Sequence, residues 1–77
     1  VPTVVIEGYK FRFYSSDGLE PPHVHVLRDD NEAKIWLLPV ALQHNHGYSV
    51  RELDRILRLT RQNQARLLEV WNAYFGQ

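Results

Sequence analysis

The sequence predicts an α+β domain: a small antiparallel sheet of about four strands followed by one long C-terminal amphipathic helix. Three observations carry this prediction. Residues 10–14 and 23–37 alternate polar and apolar side chains with period two, residues 53–75 repeat apolar side chains at helical spacing, and turn-forming residues separate the segments.

Thr3-Val4-Val5-Ile6-Glu7 is rich in β-branched residues and reads as a strand, ended by a turn at Gly8. In Lys10-Phe11-Arg12-Phe13-Tyr14 the phenylalanines point inward. Ser15 to Pro22 reads as a loop, with Asp17-Gly18 as its turn and Pro21-Pro22 stiffening its exit. Residues 23–28 and 32–37 form a hairpin about Asp29-Asp30-Asn31. A loop of two or four residues there makes cross-strand partners sum to an odd number. Val24, Val26, Ile35 and Leu37 then face the core. His23, His25, Lys34 and Trp36 share the outer face, joined by Lys10, Arg12 and Tyr14.

Residues 38–48 read as a connecting loop, with Pro39 near its start and His44-Asn45-His46-Gly47 at its end. Ser49 and Glu52 form a capping box, with Tyr48 and Leu53 at the staple positions. Leu53, Ile56, Leu57, Leu67, Leu68, Trp71, Tyr74 and Phe75 fall within about 60° of one line on a helical projection. That phase predicts one helix over 49–76, with Thr60 and Gln64 as a polar waist. A break near Gln62-Asn63-Gln64 is the alternative. A straight helix from about residue 50 to 75 runs about 39 Å against about 20 Å for a strand, so its end should overhang. Trp71, Tyr74 and Phe75 are then expected as a partner-binding surface. The chain reads as one domain, 1–77: sheet over 1–37, loop over 38–48, helix over 49–76.

The absence of cysteine excludes disulfide staples and thiolate metal ligands. Stability must come from apolar burial, and so small a core makes self-association or a small cognate protein an expected partner. Residues 1–48 carry four Lys/Arg against six Asp/Glu, a net of −2; residues 49–77 carry five Arg against three Asp/Glu, a net of +2. This is not the basic excess of a dedicated nucleic-acid binder. No apolar run approaches the ~18–20 residues of a membrane span and no signal peptide opens the chain, so the reading is cytoplasmic, without membrane.

All four histidines fall in His-x-His pairs. On a strand His23 and His25 project the same way, about 6.6 Å apart, a spacing that suits a shared divalent metal or a phosphate. A metal needs a third ligand, for which Glu20, Glu32 and Asp29 are the candidates. Without metal, His23, His25, Lys34 and Arg12 could act as base, acid and phosphate cations in RNA cleavage, with Trp36 and Tyr14 as stacking, ligand-binding platforms. His44 and His46 read as part of a solvated turn. Arg51, Arg55, Arg58 and Arg66 lie opposite the apolar stripe and read as a solvated helix face.

Several runs together carry a resemblance: Pro2-Thr3-Val4, Tyr14-Ser15-Ser16-Asp17, Glu20-Pro21-Pro22-His23-Val24-His25-Val26, Glu32-Ala33-Lys34-Ile35-Trp36-Leu37, Gly47-Tyr48-Ser49 and Trp71-Asn72-Ala73-Tyr74-Phe75-Gly76. They resemble the bacterial family of domains of unknown function numbered four-one-six-zero, with Glu-Pro-Pro-His-x-His-Val as the most specific element. The resemblance implies a small cytoplasmic bacterial protein. It also implies a toxin–antitoxin-like module with a second small family, numbered two-four-four-two, acting through protein partner binding. If the domain is an enzyme, a ribonuclease-type toxin is the form such a module suggests. Where the family carries Asn-Arg-Gly, this chain has Asn45-His46-Gly47.

Overall fold

A computed structural model describes residues 2–76; positions 1 and 77, the ends of the expected domain span, lie outside the described residues. Five strands form an antiparallel meander in sequence order: β1 (Thr3–Ile6), β2 (Tyr9–Arg12), β3 (His23–Arg28), β4 (Asn31–Leu37) and β5 (Val40–His46). A 3-10 turn, Ser15–Leu19, lies between β2 and β3. Two helices follow, α1 (Val50–Gln62) and α2 (Gln64–Phe75).

The β3–β4 hairpin has the expected parity. Its loop is the two residues Asp29-Asp30, and Val24 pairs with Ile35, His23 with Trp36 and His25 with Lys34. Asp29 takes φ 53, the left-handed conformation that a tight two-residue turn favours. Arg12 pairs with His25 from the other side. One sheet face therefore carries Val4, Tyr9, Phe11, Val24, Val26, Ala33, Ile35 and Leu37, all buried under Tyr48, Ile56, Leu59, Leu67 and Trp71.

Two expectations are corrected. The loop expected over 38–48 contains β5. Leu38-Pro39 makes a two-residue turn, Leu37 pairs with Val40, and the ladder continues to Glu32 opposite His46 across an irregularity at Lys34/Ile35. β5 has no fully buried side chain. Its residues therefore show no period-two signal; pairing with β4 makes it a strand, with Val40 packed against the edge of the core.

The single helix over 49–76 is interrupted at Asn63, at φ −111 and ψ 14. The Asn63 side chain donates to the Leu59 carbonyl at 2.8 Å, and its own N–H is shared between the Leu59 and Thr60 carbonyls at 3.1 and 3.2 Å. This is the side-chain insertion that kinks helices. The longest axis of the molecule is 34 Å, shorter than the ~39 Å rod a straight helix would make. The polar waist serves this geometry. Thr60, fully buried, donates to the Ile56 carbonyl at 2.7 Å, and Gln64 donates to the Leu37 carbonyl at the end of β4 at 2.6 Å.

At the helix start, Ser49 accepts the Glu52 N–H at 3.2 Å, as a capping residue should. The Glu52 carboxylate accepts the buried Tyr9 hydroxyl at 2.9 Å, which ties α1 to β2. No helix among the described residues is long and apolar enough to cross a membrane.

Candidate metal centre

The outer face gathers in register as the parity argument expects. Arg12, His25, Lys34 and His44 form one cross-strand row, and His23 pairs with Trp36 in the next. His44 and His46 are thus strand residues rather than turn residues, and both are exposed.

At the end of the sheet where β3 begins, the segment between β2 and β3 folds over this face. The 3-10 turn places Asp17 above the two histidines. Asp17 Oδ2 lies 3.2 Å from His23 Nε2 and 3.2 Å from His25 Nε2. The same oxygen accepts the Tyr14 N–H at 3.1 Å, which fixes the carboxylate. The three ligand atoms lie within 4.8 Å of one another.

The far nitrogen of each ring is engaged. His23 Nδ1 is 2.9 Å from the Pro21 carbonyl, and His25 Nδ1 is 3.0 Å from Glu32 Oε2. Both oxygens accept, so each Nδ1 carries the proton and donates. In the neutral ring Nε2 is then a bare lone pair. Both Nε2 atoms are buried and have no partner with hydrogen-bond geometry, because Asp17 lies out of line with each.

The surroundings are tight. The His23 side chain has 0% exposure, and the side chains of His25 and Asp17 have 14% and 10%. His23 packs edge-on to Trp36 at 5.6 Å and tilted against Trp71 at 5.4 Å; Tyr14 stands edge-on over His25 at 4.8 Å. Lys34 bonds Glu20 at 2.7 Å and lies 5.2 Å from the centre of the Trp36 ring. That hydrogen bond holds the Glu20 carboxyl below the usual glutamate range.

Among the expected third ligands, Glu20 is engaged with Lys34, Glu32 orients His25 from behind, and Asp29 sits at the tip of the β3–β4 hairpin. The carboxylate that faces both Nε2 atoms is Asp17, read from the sequence only as part of a turn. Its signal was the spacing Asp-x5-His-x-His, too short for an intervening strand. Arg12 donates to Thr3 Oγ1 at 3.1 Å and stays on the open face beside His25.

The expected partner surface of Trp71, Tyr74 and Phe75 is corrected. Trp71 is fully buried and Phe75 half-buried, while Tyr74 stays exposed. The last turn of α2 does not stand free: Phe75 meets the 3-10 turn at Gly18.

No curated protein and no solved structure matches the chain. Residues 8–72, which include all three ligand candidates and the elements that carry them, match the family described as Domain of unknown function (DUF4160). The chain belongs to the DUF4160 family.

Proposed function

We propose that this domain binds one divalent transition-metal ion through Asp17, His23 and His25. The observation that carries the reading is the pair of orphaned Nε2 atoms on rings whose Nδ1 atoms already donate to oxygen. Two buried lone pairs and a carboxylate oxygen facing one another repel, and each buried acceptor without a donor costs about 1–3 kcal/mol. A cation at their meeting point removes both costs. Histidines that ligate metal ordinarily donate their other nitrogen to a carbonyl or carboxylate, the arrangement of Pro21 and Glu32 here. Two imidazoles and one carboxylate suit zinc or iron(II) rather than calcium or magnesium.

Metal-free RNA cleavage by the same residues fits less well. A general base must reach the proton it takes, and His23 has no exposed surface. Lys34 is held in an ion pair with Glu20. The partner binding implied by the family resemblance would use other exposed surface, such as the outward side chains of β5.

Calorimetric titration of chelator-treated protein with zinc tests the metal reading. The expected result is one ion per chain, with binding lost in Asp17→Ala and His25→Ala while both variants keep the wild-type circular dichroism. Protein that takes up no zinc, or variants that bind it like wild type, would overturn it.

A further inference from the structure

We propose that the metal centre keeps an exchangeable position for one small oxygen or anionic ligand, and that the indole N–H of Trp71 holds that ligand. The inference rests on the metal reading above and goes beyond it.

Three buried side-chain polar atoms among the described residues have no hydrogen-bond partner: His23 Nε2, His25 Nε2 and Trp71 Nε1. They are not scattered. The His23 and His25 rings are 5.2 Å apart, and the His23 and Trp71 rings 5.4 Å apart. All the orphaned polarity falls in one run of touching rings. The other aromatic neighbours of Trp71 are Phe13 at 6.3 Å and Phe75 at 4.2 Å, which offer no acceptor.

The three atoms differ in kind. The histidine nitrogens are lone pairs and need something electron-poor. The indole nitrogen is only ever a donor and needs a lone pair. A bare cation satisfies the first two and repels the third. A cation that carries an oxygen satisfies all three.

The ligand count agrees. Asp17, His23 and His25 make three protein ligands, and zinc sites with three protein ligands keep a fourth position for water or substrate. The enclosure limits what enters. With the Asp17, His23 and His25 side chains at 10, 0 and 14% exposure, the ligand class is water, hydroxide or an anion of a few atoms. Trp71 is thus a positioning residue for the exchangeable ligand, and its burial in α2 serves the centre as well as the core.

The test uses the full chain loaded with cobalt(II), whose visible bands report coordination, titrated with azide as the small anion. Wild type is expected to shift its bands on azide addition. Trp71→Phe, which removes the N–H and leaves an aromatic ring in the core, is expected still to take up cobalt. Its azide affinity should be about tenfold weaker, the size of one hydrogen bond. Because Trp71 is a core residue, a second measurement needs no substitution: the Trp71 indole N–H resonance should move when zinc is added and again with azide. Failure of wild type to take up cobalt removes the metal reading itself. Normal cobalt uptake overturns this inference alone if azide leaves the bands unmoved, if Trp71→Phe binds azide like wild type, or if the Trp71 resonance ignores both additions.

Discussion

The Phe75 ring lies against the bare Cα of Gly18, so close that a methyl group built there would stand 2.6 Å from the ring's Cδ1. Gly18 follows the ligand candidate Asp17 directly, and Phe75 is in turn packed on Trp71 at 4.2 Å. The last turn of α2 and the 3-10 turn are therefore one packed unit. Gly18→Ala should cost about 1–3 kcal/mol through overpacking and weaken zinc binding, because Asp17 moves with its neighbour. In a Phe75→Leu background the same substitution should cost much less. Urea unfolding of the double-mutant set measures the coupling; purely additive losses would show that the two residues do not press on each other.

Tyr48 gives a prediction for alkaline pH. Its hydroxyl donates to the Val26 carbonyl at 3.0 Å inside the core, with Tyr9 edge-on at 6.2 Å. Burial, reinforced by Tyr9 and Glu52, pushes the phenol up from 10.0 to about 12. The native state therefore holds this proton more tightly than the unfolded chain. The resulting stability is complete below pH 10 and is lost as pH rises from 10 towards 12. Tyr48→Phe should lose about 1 kcal/mol at neutral pH, the hydrogen bond, and show a shallower fall in melting temperature across that alkaline window. Parallel alkaline limbs in the two proteins would assign the fall to other groups.

Gln64 is the clearest polar contact between helix and sheet. Its amide donates to the Leu37 carbonyl at 2.6 Å. Gln64→Ala should cost on the order of 1–2 kcal/mol. Gln64→Glu should be worse at neutral pH, since an ionised carboxylate cannot donate and would face a carbonyl oxygen. It should recover as the pH falls and the carboxyl regains a donor. A Gln64→Glu variant no less stable than Gln64→Ala at pH 7 would show that this contact is not formed in solution.

What the sequence made legible follows from what was buried. The inward alternation of Phe11, Val24, Val26, Ile35 and Leu37 fixed both the sheet and the face on which His23, His25, Lys34 and Arg12 gather, because a half-buried strand writes its register into side-chain polarity. β5 left no such record. Its side chains are mostly exposed, and hydrogen bonds to β4 hold it. The kink at Asn63 was legible only as an alternative, since the apolar phase runs through it unchanged and the cause is one side-chain hydrogen bond. The third ligand was hidden for a related reason. Asp17-Gly18 is a good turn on local grounds, and its facing of His23 and His25 depends on how the whole 15–22 segment folds back.

Glu32 supplies the sharpest test of the centre. Glu32 Oε2 accepts His25 Nδ1–H at 3.0 Å while its side chain remains 44% exposed. It makes no claim on the core, so its removal should leave the apo protein's stability nearly unchanged. Its effect on metal should be large, because the carboxylate fixes which nitrogen carries the proton and makes Nε2 a better donor to the ion. Glu32→Ala should weaken zinc binding about 10- to 100-fold, the usual consequence of losing a partner behind a ligand. Glu32→Gln keeps an acceptor for Nδ1–H without the charge and should fall between that variant and wild type. The order wild type, Gln, Ala in zinc affinity, with apo melting temperatures that agree, is the expected pattern. Equal zinc affinity in all three would mean that His25 does not ligate through Nε2, and the triad as drawn would be wrong.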